Sequence, residues 1–208
     1  MKSKLFGICG SSGSGKSFIV KFLRKKLGSD ILSVIYQDNY YKKREDQKKD
    51  KLGNYNFDLP FSFNQNDLIE DIIKIKSGKT ILRKEYTFNN PDVTPNIIRV
   101  EPNAIIIIEG LFIFNDPNIS NFFDKKIFID CNMNIMIERR IKRDHVNRGY
   151  DKSDVLYKYN NHVIPAFNKF ILPYKEKADL VINNDKNDYS APEAILQYIK
   201  KESGIYNK

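Results

Sequence analysis

Tryptophan is absent from these 208 residues, and cysteine and histidine occur only twice each. Bulk comes instead from 14 Phe and 12 Tyr, and a hydrophobic share of 41% is enough for a proper core. Cys9 and Cys131 each sit in an apolar, strand-like run, with neither metal-ligand spacing nor a disulfide framework. They read as buried free thiols of a reducing compartment, which points to the cytoplasm. No apolar run approaches the roughly 18 residues of a membrane span, so no membrane partner is expected. A signal peptide is not expected either, because the first strand begins by residue 4. Internal repeats and linkers are missing, so residues 1–208 read as one domain. Acidic residues are outnumbered 26 to 35, giving a net charge of +9 and suggesting an anionic partner. Nucleic acid and a nucleoside triphosphate are both candidates, and a solvated lysine-rich face explains part of the excess. No nucleic-acid-binding module is recognisable, so nucleic acid is not the expected partner. The N-K-x-D reader of a GTPase-type switch is absent. Its D-x-x-G occurs only as Asp50-Lys51-Leu52-Gly53, with no strand before it.

Residues 10 to 17 read Gly10-Ser11-Ser12-Gly13-Ser14-Gly15-Lys16-Ser17, the complete phosphate-cradling pattern G-x-x-x-x-G-K-[ST]. Its glycines let the backbone turn several N–H groups toward one anion. Lys16 supplies a point charge for phosphate, and the Ser17 hydroxyl is a ligand for Mg²⁺. The context fits. Leu5 to Cys9 is a short apolar run suited to a buried strand. Ser17 to Leu27 places Phe18, Ile19, Phe22, Leu23 and Leu27 near one helical face, and Gly28 stands at the C-cap.

The rest of the chain alternates strand and helix. Strands are expected at 31–36, 104–108, 126–130 and 180–182, with Ala104 to Ile108 at the sheet centre. Helices are expected at 66–76, 132–148, 153–177 and 191–201, with Pro165 and Pro173 bending or breaking the third. A β-excursion occupies about 79–101. The run Lys42 to Lys51 reads as a charged, mobile loop. This pattern predicts an α/β fold, a five-stranded parallel sheet covered by helices on both faces. Active sites of such sheets lie at the carboxyl ends of the strands, where the phosphate loop, Asp38 and Glu109 should meet.

Asp38 can accept a proton from an attacking hydroxyl, although an Asp-Asn pair is also an ordinary turn. Glu109 emerges from an apolar strand and needs a partner; Mg²⁺ on a triphosphate would serve. Arg139, Arg140, Arg143 and Arg148 share one predicted helix and could clamp a transferring phosphate. Asp144 could instead pair with Arg148 within that helix.

Together these segments resemble the uridine kinase family of P-loop kinases. The similarity runs in order from Gly7 to Ile182, through Gln37-Asp38-Asn39-Tyr40-Tyr41-Lys42, Asn56-Phe57-Asp58-Leu59-Pro60, Tyr86-Thr87-Phe88, Ile108-Glu109-Gly110-Leu111, Arg139 to Asp144, Arg148-Gly149 and Pro165-Ala166-Phe167. The resemblance implies a P-loop NTPase fold and transfer of phosphate from ATP or GTP to the 5′-hydroxyl of a ribonucleoside, uridine or cytidine. Asp38 would be the general base, with Lys16, Arg143 and Arg148 on the phosphates. Ser17 and Glu109 would hold Mg²⁺, Asp58 and Arg140 would bind the ribose, and Tyr86 and Phe88 would contact the base. Residues 132 to about 159 would form a lid, and a homo-oligomer, dimer or tetramer, would be usual. The chain departs from the family at Pro91, Tyr150 and Lys158, where the family recognises the pyrimidine edge. Those departures keep another ribosyl or sugar-phosphate acceptor in view, such as nicotinamide riboside. A non-catalytic nucleotide-binding relative is a further alternative.

Overall fold

The computed structural model describes residues 3–88, 93–148, 150–186 and 188–205, with Asn147 and Arg148 described by their backbone alone. Five strands form a wholly parallel sheet: β1 (Lys4–Gly10), β2 (Leu32–Tyr36), β7 (Ile105–Gly110), β8 (Lys125–Asp130) and β9 (Leu180–Asn183). Their order is β2-β7-β1-β8-β9. The middle place therefore belongs to β1, and the isoleucine strand β7 lies beside it. Gly7 explains how β1 fits there: a Cβ at this position would press into the rings of Phe114 and Phe123.

Successive residues of a strand point to opposite faces, and β7 shows the consequence. Ile106 and Ile108 join a core with Leu5, Ile72, Phe112 and Phe128, whereas Ile105 and Ile107 join another with Phe6, Ile19, Leu23 and Ile195. All four isoleucines are fully buried. Helix α1 (Lys16–Leu27) and helix α7 (Ser190–Ser203) supply the second core, and helix α2 (Gln65–Lys76) the first. A short helix α3 (Pro117–Ser120) is capped by the Asp116 carboxylate, which accepts from the Asn118 amide.

The excursion is a two-stranded antiparallel hairpin of β5 (Ile81–Lys84) and β6 (Ile97–Val100). Arg83 anchors it to α2 through the buried Asp71, which also accepts from the Tyr40 hydroxyl at 2.9 Å. The segment expected as a mobile charged loop instead contains a 3-10 turn at Arg44–Asp46 and a second small hairpin of β3 (Lys48–Lys49) and β4 (Tyr55–Asn56).

Helix α4 (Met133–Arg148) and helix α5 (Lys152–Lys158) occupy the expected lid segment. Helical structure continues beyond α5 as a π-helical stretch Tyr159–Val163, a short α6 (Ile164–Ala166), another π-helical stretch Phe167–Ile171 and a 3-10 turn Leu172–Tyr174. Pro165 therefore does not break the helix. Proline removes an N–H and its ring crowds the carbonyl four residues back; a wider π turn just before it makes room. The helical stretch ends one residue after Pro173. Among the described residues no helix is long and apolar enough to cross a membrane.

Candidate active site

The phosphate loop joins β1 to α1 at the carboxyl end of the sheet, where the strand–helix pattern put it. Gly13 and Gly15 have φ of 86° and 95°, left-handed values that side chains disfavour. Space is also closed to them: a Cβ on Gly13 would collide with the Met136 carbonyl, and one on Gly15 with the Asn184 amide. Lys16 donates to the Ser11 carbonyl at 3.0 Å and lies 3.7 Å from the Glu109 carboxylate.

Glu109 ends the apolar strand β7, as the sequence suggests. Its carboxyl is raised to about 7: burial and the nearby Asp38 push it up, while the charge of Lys16 and hydrogen bonds from Lys16 and Ser17 pull it down. Ser17 and Glu109 thus meet as two hard oxygen donors beside the loop. No group of three or more His, Cys, Asp or Glu residues suited to a metal is present among the described residues. Two protein oxygens fit Mg²⁺, which keeps waters and shares substrate phosphates rather than occupying an all-protein cage.

A cleft of about 470 Å³ brings the site together. Ser12, Gly13, Gly15, Lys16, Ser17 and Glu109 line its phosphate side, with Asp38 on the same wall system. Gly10, Ser11 and Ser14 are buried in the strand end and the loop beneath. Asp58, Tyr86, Phe88, Arg140 and Arg143 also line the cleft. Asp38 acts electrostatically on both Glu109 and Tyr41. Tyr41 in turn stacks against Tyr86 at 5.0 Å between ring centroids, and Tyr86 meets Phe88 edge-on at 5.1 Å. Burial, then the Asp38 and Asp58 carboxylates, push the Tyr41 hydroxyl well above its ordinary range.

Two residues flanking Asp38 hold this arrangement. The buried Gln37 accepts from the Leu111 and Phe112 amides at 2.9 and 3.0 Å, fastening the Asp38 turn to the end of β7. Asn39 accepts from the Tyr86 amide at 3.1 Å, fastening it to the excursion. Gln37, Asn39 and Tyr41 lie in a segment that the sequence marks out, but only Asp38 was singled out there.

The arginines divide their tasks. Arg140 lies 3.4 Å from Asp58 and 3.3 Å from Asp144, and Arg143 donates to Asp144 at 2.8 Å. Burial, which disfavours the Arg140 charge, is outweighed by Asp58 and Asp144. Asp144 therefore pairs with two earlier arginines; the Arg148 side chain lies outside the described residues. Arg139 also lines the cleft, and its guanidinium donates to the carbonyls of Asn184, Asp185 and Lys186. Its position in the helix puts it with the other arginines of the expected phosphate clamp, and its hydrogen bonds also tie α4 to the loop after β9.

Tyr150 and Lys158, two of the departures from the family, touch each other. The Lys158 ammonium lies 4.6 Å from the Tyr150 ring centroid and 2.8 Å from Asp154, and all three line the cleft. Pro91 lies outside the described residues. The small hairpin forms another wall. There Asp50 accepts from the Tyr157 hydroxyl at 2.8 Å, the Leu52 and Asn54 amides at 2.9 Å each, and lies 2.8 Å from His162 Nε2. Cys9 and Cys131 are free and buried, as expected.

A family model described as the phosphoribulokinase / uridine kinase family matches residues 5–189. A uridine kinase of Clostridium perfringens (strain 13 / Type A) is 34% identical over 207 residues, 99% of this chain and 100% of that protein. Uridine kinase-like protein 3 of Arabidopsis thaliana is 33% identical over 204 residues, 98% of this chain; the chain spans only 44% of that protein's length. Among solved structures, the phosphoribulokinase of Rhodobacter spheroides is similar with a TM-score of 0.64 at 18% identity, covering 92% of this chain and 74% of that one. At that identity the likeness speaks for the fold alone, a parallel sheet with helices, in keeping with the α/β fold expected from the strand–helix pattern and the P-loop NTPase fold implied by the family resemblance.

Proposed function

The chain belongs to the phosphoribulokinase / uridine kinase family, and we propose that it transfers the γ-phosphoryl group of ATP or GTP to the 5′-hydroxyl of a ribonucleoside, uridine or cytidine, giving the monophosphate. The observation that carries this reading is the position of Asp38. One cleft holds it with the phosphate loop and with the Asp58–Arg140 pair and the Tyr86–Phe88 rings.

In this reading Asp38 takes the proton as the hydroxyl oxygen attacks the γ-phosphorus. Lys16, Arg143 and Arg148 counter the charge on the transferring group, and the phosphate-loop amides hold the rest of the triphosphate. Ser17 and Glu109 would hold Mg²⁺, which supplies charge neutralisation between the phosphates. Asp58, kept in place by Arg140, accepts hydrogen bonds from the ribose hydroxyls. Tyr86 and Phe88 offer ring faces to the base.

The test is product analysis with uridine and with 5′-deoxyuridine. Uridine should yield a 5′-monophosphate and the deoxy analogue nothing. Asp38→Asn should still bind ATP while transfer falls by about 100-fold or more. Wild-type turnover in that variant would remove Asp38 from the role.

A further inference from the structure

Beyond β9 the chain turns back over the phosphate loop through Asn184, which is buried although it belongs to a polar loop. Its side-chain amide donates to the Ser14 carbonyl at 2.7 Å. Its own backbone is held on two sides. The Asn184 amide donates to the Asp130 carbonyl at 2.9 Å, and the Asn184 carbonyl accepts from Arg139 Nη1 at 2.9 Å. The same Nη1 lies 3.3 Å from Cys131 Sγ, and Nη2 reaches the carbonyls of Asp185 at 3.2 Å and Lys186 at 3.4 Å.

The consequence follows from peptide geometry. A trans peptide is planar, and its C=O and N–H point in opposite directions. Fixing the Ser14 carbonyl therefore fixes the direction of the Gly15 N–H. Gly15 stands in the left-handed region and lines the cleft, so that N–H is one of the donors the loop can offer an anion.

We propose that Asn184, held by Arg139, is a positioning residue for the donor's phosphates: it takes the Ser14 carbonyl and so aims the Gly15 N–H into the cradle. Arg139 and its neighbour Arg140 then anchor adjacent points of α4 to the two halves of the cleft, the first to the phosphate loop by way of Asn184 and the second directly to Asp58. The inference rests on the reading of the cradle as the donor-nucleotide site and is independent of the acceptor's identity.

The experiment is calorimetric titration of ATP into the full chain, without acceptor, for Asn184→Ala, Arg139→Lys and the double variant, with melting temperatures measured alongside. Each single variant should weaken ATP binding about tenfold, and the double variant should be no weaker than the poorer single, because both act through one contact. Lysine keeps the charge and most of the stem but lacks the planar fork, so Arg139→Lys separates geometry from charge while leaving a variant expected to fold. Wild-type ATP affinity in either single variant would overturn the proposal, as would full additivity in the double. Failure to phosphorylate nucleosides would instead count against the acceptor reading and leave these affinities unaffected.

Discussion

Lys16 and Glu109 face each other at 3.7 Å on the nearly closed floor of the cleft. A buried pair of this kind is costly to break from one side, because the remaining charge is left without its partner. Glu109→Gln keeps the shape and a hydrogen-bonding oxygen while removing the charge offered to Mg²⁺. Its turnover should fall by about 100-fold and should need a higher Mg²⁺ concentration to reach half of its own maximum, measured by a steady-state Mg²⁺ titration. An unchanged Mg²⁺ requirement would remove Glu109 from metal binding.

Asp58 should act on the sugar and not on the donor. Asp58→Asn should lower kcat/KM for uridine about tenfold or more, with ATP affinity unchanged. The loss should be much smaller with 2′,3′-dideoxyuridine, which has no ribose hydroxyls for Asp58 to accept from. An equal loss with both acceptors would contradict the assignment.

The contact between Lys158 and Tyr150 offers a test at the base end. Tyr150→Phe keeps the ring face under the ammonium and should change kcat/KM by less than about twofold. Tyr150→Ala removes the face, a change worth about 0.5–2 kcal/mol, and should alter acceptor choice between uridine and cytidine while sparing the donor. Identical kinetics in all three proteins would show that this contact has no part in recognition.

Burial would raise the Asp50 carboxyl, but hydrogen bonds from His162, Tyr157, Asn54 and Leu52 outweigh it and hold the group below the usual carboxylate range. A depressed carboxylate contributes stability that is fully present above its unfolded value, about 4, and is lost as pH falls through the folded value. The melting-temperature advantage of wild type over Asp50→Asn should therefore be present at about pH 5 and shrink as pH falls below about 4. A difference independent of pH down to 2 would refute the ionised latch.

What could be read from the chain alone were features with a local spelling. The phosphate loop, the acid closing the isoleucine strand and the alternation of strand and helix each lie within a few consecutive residues. Asp38 and Glu109 could be placed together because parallel sheets gather their carboxyl ends at one edge. Asn184 also follows a strand end, yet its partner Ser14 is 170 residues away and no local pattern announces the contact. The hairpin around Asp50 was missed for the same reason. Its charges read as a solvated run, whereas its anchors, Tyr157 and His162, come more than a hundred residues later. Helical spacing shows that Arg139 shares a helix with Arg140 and Arg143, but not that it would hold the carbonyls after β9.

The central claim is that this cleft moves phosphate to the 5′-oxygen of a ribonucleoside. Its most direct test is a panel of acceptors incubated with γ-labelled ATP and, separately, γ-labelled GTP: uridine, cytidine, adenosine, guanosine, nicotinamide riboside and ribulose phosphate. The account predicts label in the 5′-monophosphates of uridine or cytidine, ahead of every other acceptor. Transfer to no nucleoside, or to the sugar phosphate alone, would contradict it.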